Sequence, residues 1–247
     1  MTKQPEHLIY GIRAVLETIA SGKHLEKVYV QKGLKGDLIT ELREALSKHE
    51  VPSSVVPAEK LNRLTRKNHQ GVAAFVSPIQ YSPLDEIIAQ EFEKGNQPLL
   101  VLLDGITDVR NFGSIARTAE CMGASGIIIP SKGAAQVTAD AVKTSAGALN
   151  FIPVCREPNI GLSVSYMKQA GIKVVACTEK TENAIGQLDL TGPLCIVMGA
   201  EDVGVSPEIL ATADERGKIP ITGKIESLNV GSACSMALYE VSRQRTS

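Results

Sequence analysis

Two runs constrain this chain more than anything else in it: Leu99-Leu-Val-Leu-Leu103 and Leu194-Cys-Ile-Val-Met198. Neither alternates apolar with polar residues, so each reads as a strand buried on both faces. Such strands belong to parallel sheets covered by helices on both sides, which puts the chain in the α/β class. Further strand candidates at Gly126 to Ile129, Ile152 to Val154 and Lys173 to Cys177 are separated by helical spacing. One helix runs through Met122 and turns Ile115, Ala119 and Met122 to the sheet, with Asn111 and Ser114 read as cap-type residues at its start; another covers Leu162 to Ala170. Open α/β sheets bind ligands beyond the carboxyl ends of their strands, so the residues after Leu103 and Met198 are where chemistry is to be sought.

Ahead of this region lies a smaller alternating unit. Ile12, Val15, Leu16 and Ile19 follow a helical period, as do Ile39, Leu42 and Leu46, and short strands are expected at Lys27 to Val30, Ser54 to Val56 and Val72 to Val76, with a helix near Ala58 to Thr65. Residues 1–77 therefore form a compact α/β domain. Pro78, Pro83, Gly95 and Pro98 bracket a weakly helical acidic piece, so 78–97 reads as a linker and 98–247 as the larger domain. Residues 1–80 carry 12 Lys and Arg against 8 Asp and Glu, a net +4, and the remainder 14 against 19, a net −5. The basic front, with Arg63, Arg66, Lys67, Asn68, His69 and Gln70 gathered in one loop, is what a polyanion partner would engage; a solvated Lys-rich turn is the equal alternative.

The strand-end loops are rich in Gly, Ser and Asn. Leu103 leads into Asp104-Gly-Ile-Thr-Asp-Val-Arg-Asn111, with Arg117 within the helix that follows. Met198 leads into Gly199-Ala-Glu-Asp-Val-Gly204, closed by Ser206-Pro207. A third stretch, Ile219 to Ala233, holds Pro220, which a central strand would not tolerate, then Ser227, Leu228 and Asn229 before helical spacing resumes at Val230. Backbone N–H groups, a hydroxyl and an amide thus meet at a helix start, where a polar ligand can be held. The small residues Ser145 to Ala148 call for a close backbone approach, to a ligand or between packed elements.

These loops exclude several chemistries. No GxGxxG, GxxxxGK[ST] or GxSxG follows any strand. The four histidines, His7, His24, His49 and His69, all lie in the first domain, so the second cannot build a Ser-His-Asp triad. Five cysteines without a CxxC pair signal neither a disulfide framework nor a metal cluster, and no metal is expected. The opening Met-Thr-Lys-Gln-Pro-Glu-His has no apolar signal region and no run reaches a membrane span, so the expected location is cytoplasmic, with no membrane partner.

Asn111-Phe-Gly-Ser-Ile-Ala-Arg117, Met198-Gly-Ala-Glu-Asp-Val-Gly204 and Ile219-Pro-Ile-Thr-Gly223 continuing to Ser227-Leu-Asn-Val230 resemble the three signature motifs of the TrmH-type SPOUT RNA ribose methyltransferases. The resemblance covers 98–247, and the front domain is similar to the small substrate-binding domain of two-domain members. It implies S-adenosylmethionine as methyl donor, a trefoil knot in the second domain and a homodimer. It also implies an RNA ribose 2′-hydroxyl as acceptor, with a guanosine of 23S rRNA ahead of tRNA. By motif position Met198, Gly199, Ile219, Ile221 and Leu228 contact the donor, and Asn111, Arg117, Glu201, Ser227 and Asn229 are catalytic or orient the substrate. A non-catalytic RNA-binding assembly factor that kept the pocket is the competing class. The chain departs from the family at one point: Ser-Leu-Asn-Val is usually followed by Ser, and here by Gly231, with Ser232 one place later.

Overall fold

In the computed structural model, residues 7–225 and 227–246 are described. Most of the opening stretch read for a leader, and Glu226 within the third loop, lie outside them. The chain divides into two units, one running to Gln80 and including Gln136–Ala139, the other comprising Tyr81–Ala135 and Asp140 onward.

The first unit contains β1 (Leu8–Tyr10), α1 (Ile12–Ala20), β2 (Leu25–Gln31), α2 (Asp37–Lys48), β3 (Ser53–Val56), α3 (Ala58–Leu64) and β4 (Val72–Val76). Its sheet has the order β1-β4-β2-β3, with β4 antiparallel to both neighbours and β2 parallel to β3. The two-residue repeat of a strand sorts side chains between two cores. Val28, Val30, Val72 and Ala74 pack with Val15, Ile19, Ile39, Leu42 and Leu46 of α1 and α2, while Leu8, Val56 and Ala73 pack with Leu61 of α3. Within this unit the buried carboxylate of Glu26 accepts the Val137 N–H at 3.1 Å.

The second unit is built from α4 (Leu84–Glu93), β5 (Leu99–Asp104), α5 (Val109–Cys121), β6 (Gly126–Pro130), α6 (Ala139–Thr144), β7 (Val154–Glu157), α7 (Ile160–Gln169), β8 (Lys173–Cys177), β9 (Leu194–Gly199), α8 (Pro207–Thr212), β10 (Glu215–Gly217) and α9 (Val230–Arg245). Its six strands are all parallel, in the order β10-β8-β9-β5-β6-β7. The two apolar runs are the central pair, in register from Leu99 opposite Leu194 to Asp104 opposite Gly199. Leu100, Leu102, Cys195 and Val197 face a core closed by α4, α7 and α8, and α5 and α9 pack against each other and cover the other face. Both faces are therefore buried, which is why neither run alternates.

Two expectations need correction. Segment 78–97 is not a plain linker: Leu84, Ile87 and Ile88 of α4 are buried in the core of the second unit, and its Pro and Gly residues only punctuate the helix. Helix α5 starts earlier than its cap-type residues suggest. Asp108 is the N-cap, accepting from Arg110 N and Asn111 N at 2.9 and 2.8 Å, so Asn111 and Ser114 lie inside the helix.

Candidate functional site

The carboxyl ends of β5, β9, β8 and β10 deliver Asp104, Gly199, Cys177 and Gly217 to one edge of the second sheet. A cavity of about 430 Å³ opens there. The residues from Ala200 to Gly204 fold back over the tip of β9, with Gly204 N donating to Ala200 O at 2.8 Å and Gly204 in a left-handed conformation at φ +72°. Ser206 N donates to Asp104 Oδ2 at 2.7 Å, which ties this loop to the end of β5. Gly199 has to be glycine, because a Cβ would stand 2.1 Å from both Gly204 C and Val205 N.

Met198, Gly199, Ile219, Ile221 and Leu228, separated in sequence by up to thirty residues, all line this cavity, together with Glu201 and Ser227. Asn111 and Glu201 line an adjoining hollow of about 220 Å³ behind β5. Asn229 connects the two. Its Nδ2 donates to Asn111 Oδ1 and to Glu201 Oε1, both at 2.9 Å, while its Oδ1 caps α9 by accepting from Gly231 N and Ser232 N at 3.0 and 3.3 Å. Asn111 Nδ2 donates to the same Glu201 Oε1 at 2.9 Å. One carboxylate oxygen, on the loop after β9, thus fixes two amides, one in the first turn of α5 and one at the N-cap of α9, and each amide faces a set direction. Carboxylate acceptors make the stronger kind of hydrogen bond, which suits a hub that has to hold its geometry beside solvent.

Arg117 stands apart. It is exposed on α5, lines neither hollow and has no ion pair with a described residue. Six residues beyond Asn111, it sits about 9 Å further along the helix axis.

The cavity wall also contains Val230 and Ala233 from the end of the third stretch, and Cys177, Thr178, Glu179, Lys180 and Lys218, to which the sequence assigned no place in a site. The signal available was the end of β8, a third strand tip without a glycine-bearing bend. Burial, aided by Glu179, pushes the Cys177 thiol up to about 11, so it is a neutral wall and not a nucleophile. Among the described residues no group of three His, Cys, Asp or Glu side chains is placed to hold a metal ion. The cavity volume falls within the range of small-molecule sites, about 300–1,000 Å³. Its chemistry is mixed: apolar Ile219, Ile221, Leu228 and Met198 for a planar base, exposed backbone at glycine bends for polar groups, and Glu179, Lys180 and Lys218 at the rim.

In the first unit Arg63, Arg66 and Lys67 are exposed beside a structured loop, in which Gly71 N donates to His69 Nδ1 at 3.0 Å and His69 Nε2 pairs with Asn62 Oδ1 at 2.9 Å. The Lys67 and Lys60 ammonium groups lie 5.8 and 4.7 Å from the Tyr10 and Tyr29 ring centres. Arg63 and Arg66 are thus exposed cations, and Lys67 is exposed with its ammonium set over the Tyr10 ring.

Residues 98–239 match the model of the SpoU rRNA methylase family, and residues 8–82 that of the RNA 2′-O ribose methyltransferase substrate-binding domain. A Staphylococcus haemolyticus protein assigned to the TrmH family of tRNA/rRNA methyltransferases is 35% identical over 240 residues, 96% of each chain. Among solved structures, the SpoU methyltransferase AviRb of Streptomyces viridochromogenes in complex with AdoMet is 26% identical, with a TM-score of 0.62 over 97% of this chain and 90% of its own. An rRNA methyltransferase of Sinorhizobium meliloti is 25% identical, TM-score 0.60, over 98% and 88%. The TrmH/SpoU tRNA modifying enzyme of A. aeolicus is 26% identical, TM-score 0.56, and spans 65% of this chain but 85% of its own.

Proposed function

The chain belongs to the SpoU rRNA methylase family and is an S-adenosylmethionine-dependent RNA 2′-O-methyltransferase; from that premise we propose that its substrate is ribosomal RNA, a guanosine of 23S rRNA, as in the RlmB-type enzymes that the two-domain layout resembles. The observation that carries the choice of RNA is the first unit. The rRNA enzyme from S. meliloti matches along both units, whereas the A. aeolicus tRNA enzyme spans 65% of this chain. The exposed Arg63, Arg66 and Lys67 on that unit supply cations for a phosphate backbone.

The sulfonium donor supplies an activated methyl group; its sulfur–methyl bond breaks as the oxygen–methyl bond forms, a neutral thioether leaves, and the proton displaced from the 2′-hydroxyl passes to solvent. Met198, Gly199, Ile219, Ile221 and Leu228 hold it at the strand tips, where Gly199 admits close backbone approach. Asn111, Glu201 and Asn229 form the preset hub, and with Ser227 they orient the ribose so that its 2′-oxygen lies in line with the methyl. Placement of two bound partners in this way supplies much of the rate of a transfer reaction. Arg117 clamps the adjoining phosphate and offsets charge that develops on the 2′-oxygen; a guanidinium holds its proton at every accessible pH and does not serve as the base. Its exposed position outside the donor cavity supports a role toward RNA.

The protein acts as a homodimer in this reading. Met236 and Tyr239, one helical turn apart on α9, are 48% and 61% exposed, and Ile225 beside the cavity is 75% exposed, an apolar surface that a second copy would cover. A trefoil knot in the second unit belongs to the same reading, on the likeness of its three motif loops to the family that residues 98–239 match. The proposed location is the cytoplasm, where ribosomal RNA is made and where all five cysteines, unpaired in the structure, would stay reduced. Methyl transfer to 23S rRNA and to tRNA lacking ribose methylation tests the substrate. Label in 23S rRNA at a guanosine is the expected result; label in tRNA alone overturns it.

A further inference from the structure

We propose that Ser114 is a further substrate-positioning residue, which presents its hydroxyl to the RNA backbone at the target nucleotide from the space that Gly231 leaves on α9. The inference rests on the methyl-transfer reading above and adds to it a role for a residue that lies within the first motif, between Asn111 and Arg117, and to which that reading gives none.

Helices α5 and α9 pack closely at the site, and Gly231 sits buried in the first turn of α9. A Cβ at Gly231 would meet Ser114 Oγ at 3.2 Å and Asn229 Oδ1 at 3.1 Å. Both contacts are tighter than ordinary van der Waals packing, so Ser114 and residue 231 compete for one space. The family pattern Ser-Leu-Asn-Val-Ser puts a hydroxyl on the first turn of the last helix; here that turn has none at 231, and an oxygen from α5 fills the gap.

The Ser114 hydroxyl is not returned to the helix backbone. A mid-helix serine commonly returns its hydroxyl to a carbonyl one turn back, as Ser165 does to Gly161 O at 3.0 Å and Ser235 to Gly231 O at 2.8 Å. Ser114 is exposed, and its hydroxyl makes no hydrogen bond to a described residue. It is an exposed donor beside Gly231 in the first turn of α9. Its neighbours three residues away on either side are Asn111, locked into the hub, and Arg117, the exposed cation. A phosphate or ribose oxygen lying between the hub and Arg117 would pass this hydroxyl, so the ligand that fits is the sugar-phosphate backbone and not the donor.

The test is a cycle on the full-length enzyme: S114A, G231S and the double variant, with 23S rRNA and tRNA both offered as acceptors. For whichever RNA the wild type labels, S114A should raise the KM for RNA about 3- to 10-fold, the effect of one lost hydrogen bond, with kcat within about 2-fold. S-adenosylmethionine affinity and Tm should not move. G231S alone, which crowds Ser114 Oγ and the Asn229 cap, should lose at least as much as S114A. The double variant, with the oxygen carried on α9 instead, should have a lower KM than either single variant, since the contact with Ser114 Oγ is relieved and the lost hydrogen bond regained while the contact with Asn229 Oδ1 remains. An unchanged KM in S114A, a Tm loss in place of a KM change, or a double variant no better than S114A overturns the inference while leaving the methyl-transfer reading intact. A wild-type enzyme that labels neither RNA overturns both.

Discussion

Replacing Gly199 with Ala places a methyl group where the structure has backbone. The added Cβ would stand 2.1 Å from Gly204 C and Val205 N and 2.5 Å from Gly204 O. Carbon atoms reach contact at about 3.5 Å, so the peptide between Gly204 and Val205 would have to retreat by more than about 1 Å. It has little freedom to do so. Gly204 N is bonded to Ala200 O at 2.8 Å, Ser206 N to Asp104 Oδ2 at 2.7 Å, and Val205 is packed in the core at 1% exposure. Overpacking costs about 1–3 kcal/mol where side chains can adjust, and here backbone has to yield, which puts the cost at about 3 kcal/mol or above. For a protein of this size each kcal/mol lowers Tm by about 2–4 °C, so a drop of about 6–12 °C is expected. The displaced loop is also a wall of the donor cavity, and the Kd for S-adenosylmethionine should rise at least 10-fold, about 1.4 kcal/mol. Differential scanning calorimetry and titration calorimetry read the two effects separately. A variant that binds the donor within about 2-fold of wild type and melts within about 1 °C would refute the assignment of Gly199 as the point where the loop closes on the strand.

Glu201→Ala removes the acceptor shared by Asn111 and Asn229, and kcat/KM for RNA should fall about 10- to 100-fold, the scale of two hydrogen bonds; a loss under about 3-fold would contradict the hub. Arg117→Lys keeps the charge but not the two-pronged geometry, so activity should fall about 10-fold or more with donor affinity unchanged, and near-normal turnover would count against the phosphate clamp. Burial pushes the Cys155, Cys195 and Cys234 thiols up to about 12 and, with help from Glu179, Cys177 to about 11, while Cys121 is exposed. At pH 8 a thiol reagent should therefore modify one cysteine quickly, and rapid reaction of two or more would refute that order. Glu240 accepts from Arg243 and Gln244, which hold its carboxyl down to about 2. Its folded value lies below the unfolded one, about 4.3, so its stabilising effect is complete above that pH and is lost as pH falls toward 2. The stability gap between wild type and Glu240→Gln should close over that acid range, and a gap independent of pH would exclude the pairing as its source.

The central strands of the second sheet were legible because two-sided burial leaves no room for polar alternation, and Leu99 to Leu103 and Leu194 to Met198 are buried at every position. Strand β10 was not legible: Glu215-Arg-Gly217 has no strand character of its own and owes its conformation to pairing with Val175 to Cys177. The same limit hid β1, whose Leu8–Tyr10 merges into the helical pattern of α1 until its pairing with Ala73 to Phe75 is seen. Helix α4 was read as a linker because three buried side chains, Leu84, Ile87 and Ile88, are few by composition yet enough to dock one face. For the site, glycine-bearing bends at strand tips marked Gly199 and the 219–229 stretch, since tight loops need residues that backbone can approach. What the bends could not give was the joint role of Glu201, which depends on Asn111 and Asn229 arriving from helix starts ninety and twenty-eight residues away. Nor could they mark Ser114, whose meaning comes from the missing side chain opposite it.

The central claim is that a donor held at these strand tips gives its methyl group to a ribose oxygen. Alkali cleaves RNA through the free 2′-hydroxyl, so a 2′-O-methylated nucleotide survives as an uncleaved dinucleotide. With S-adenosylmethionine labelled in the methyl group and RNA lacking ribose methylation, alkaline digestion should leave the label in such dinucleotides, and Gly199→Ala should reduce it about 10-fold or more at donor concentrations below Kd. Label recovered in mononucleotides, as a methylated base, would contradict the account.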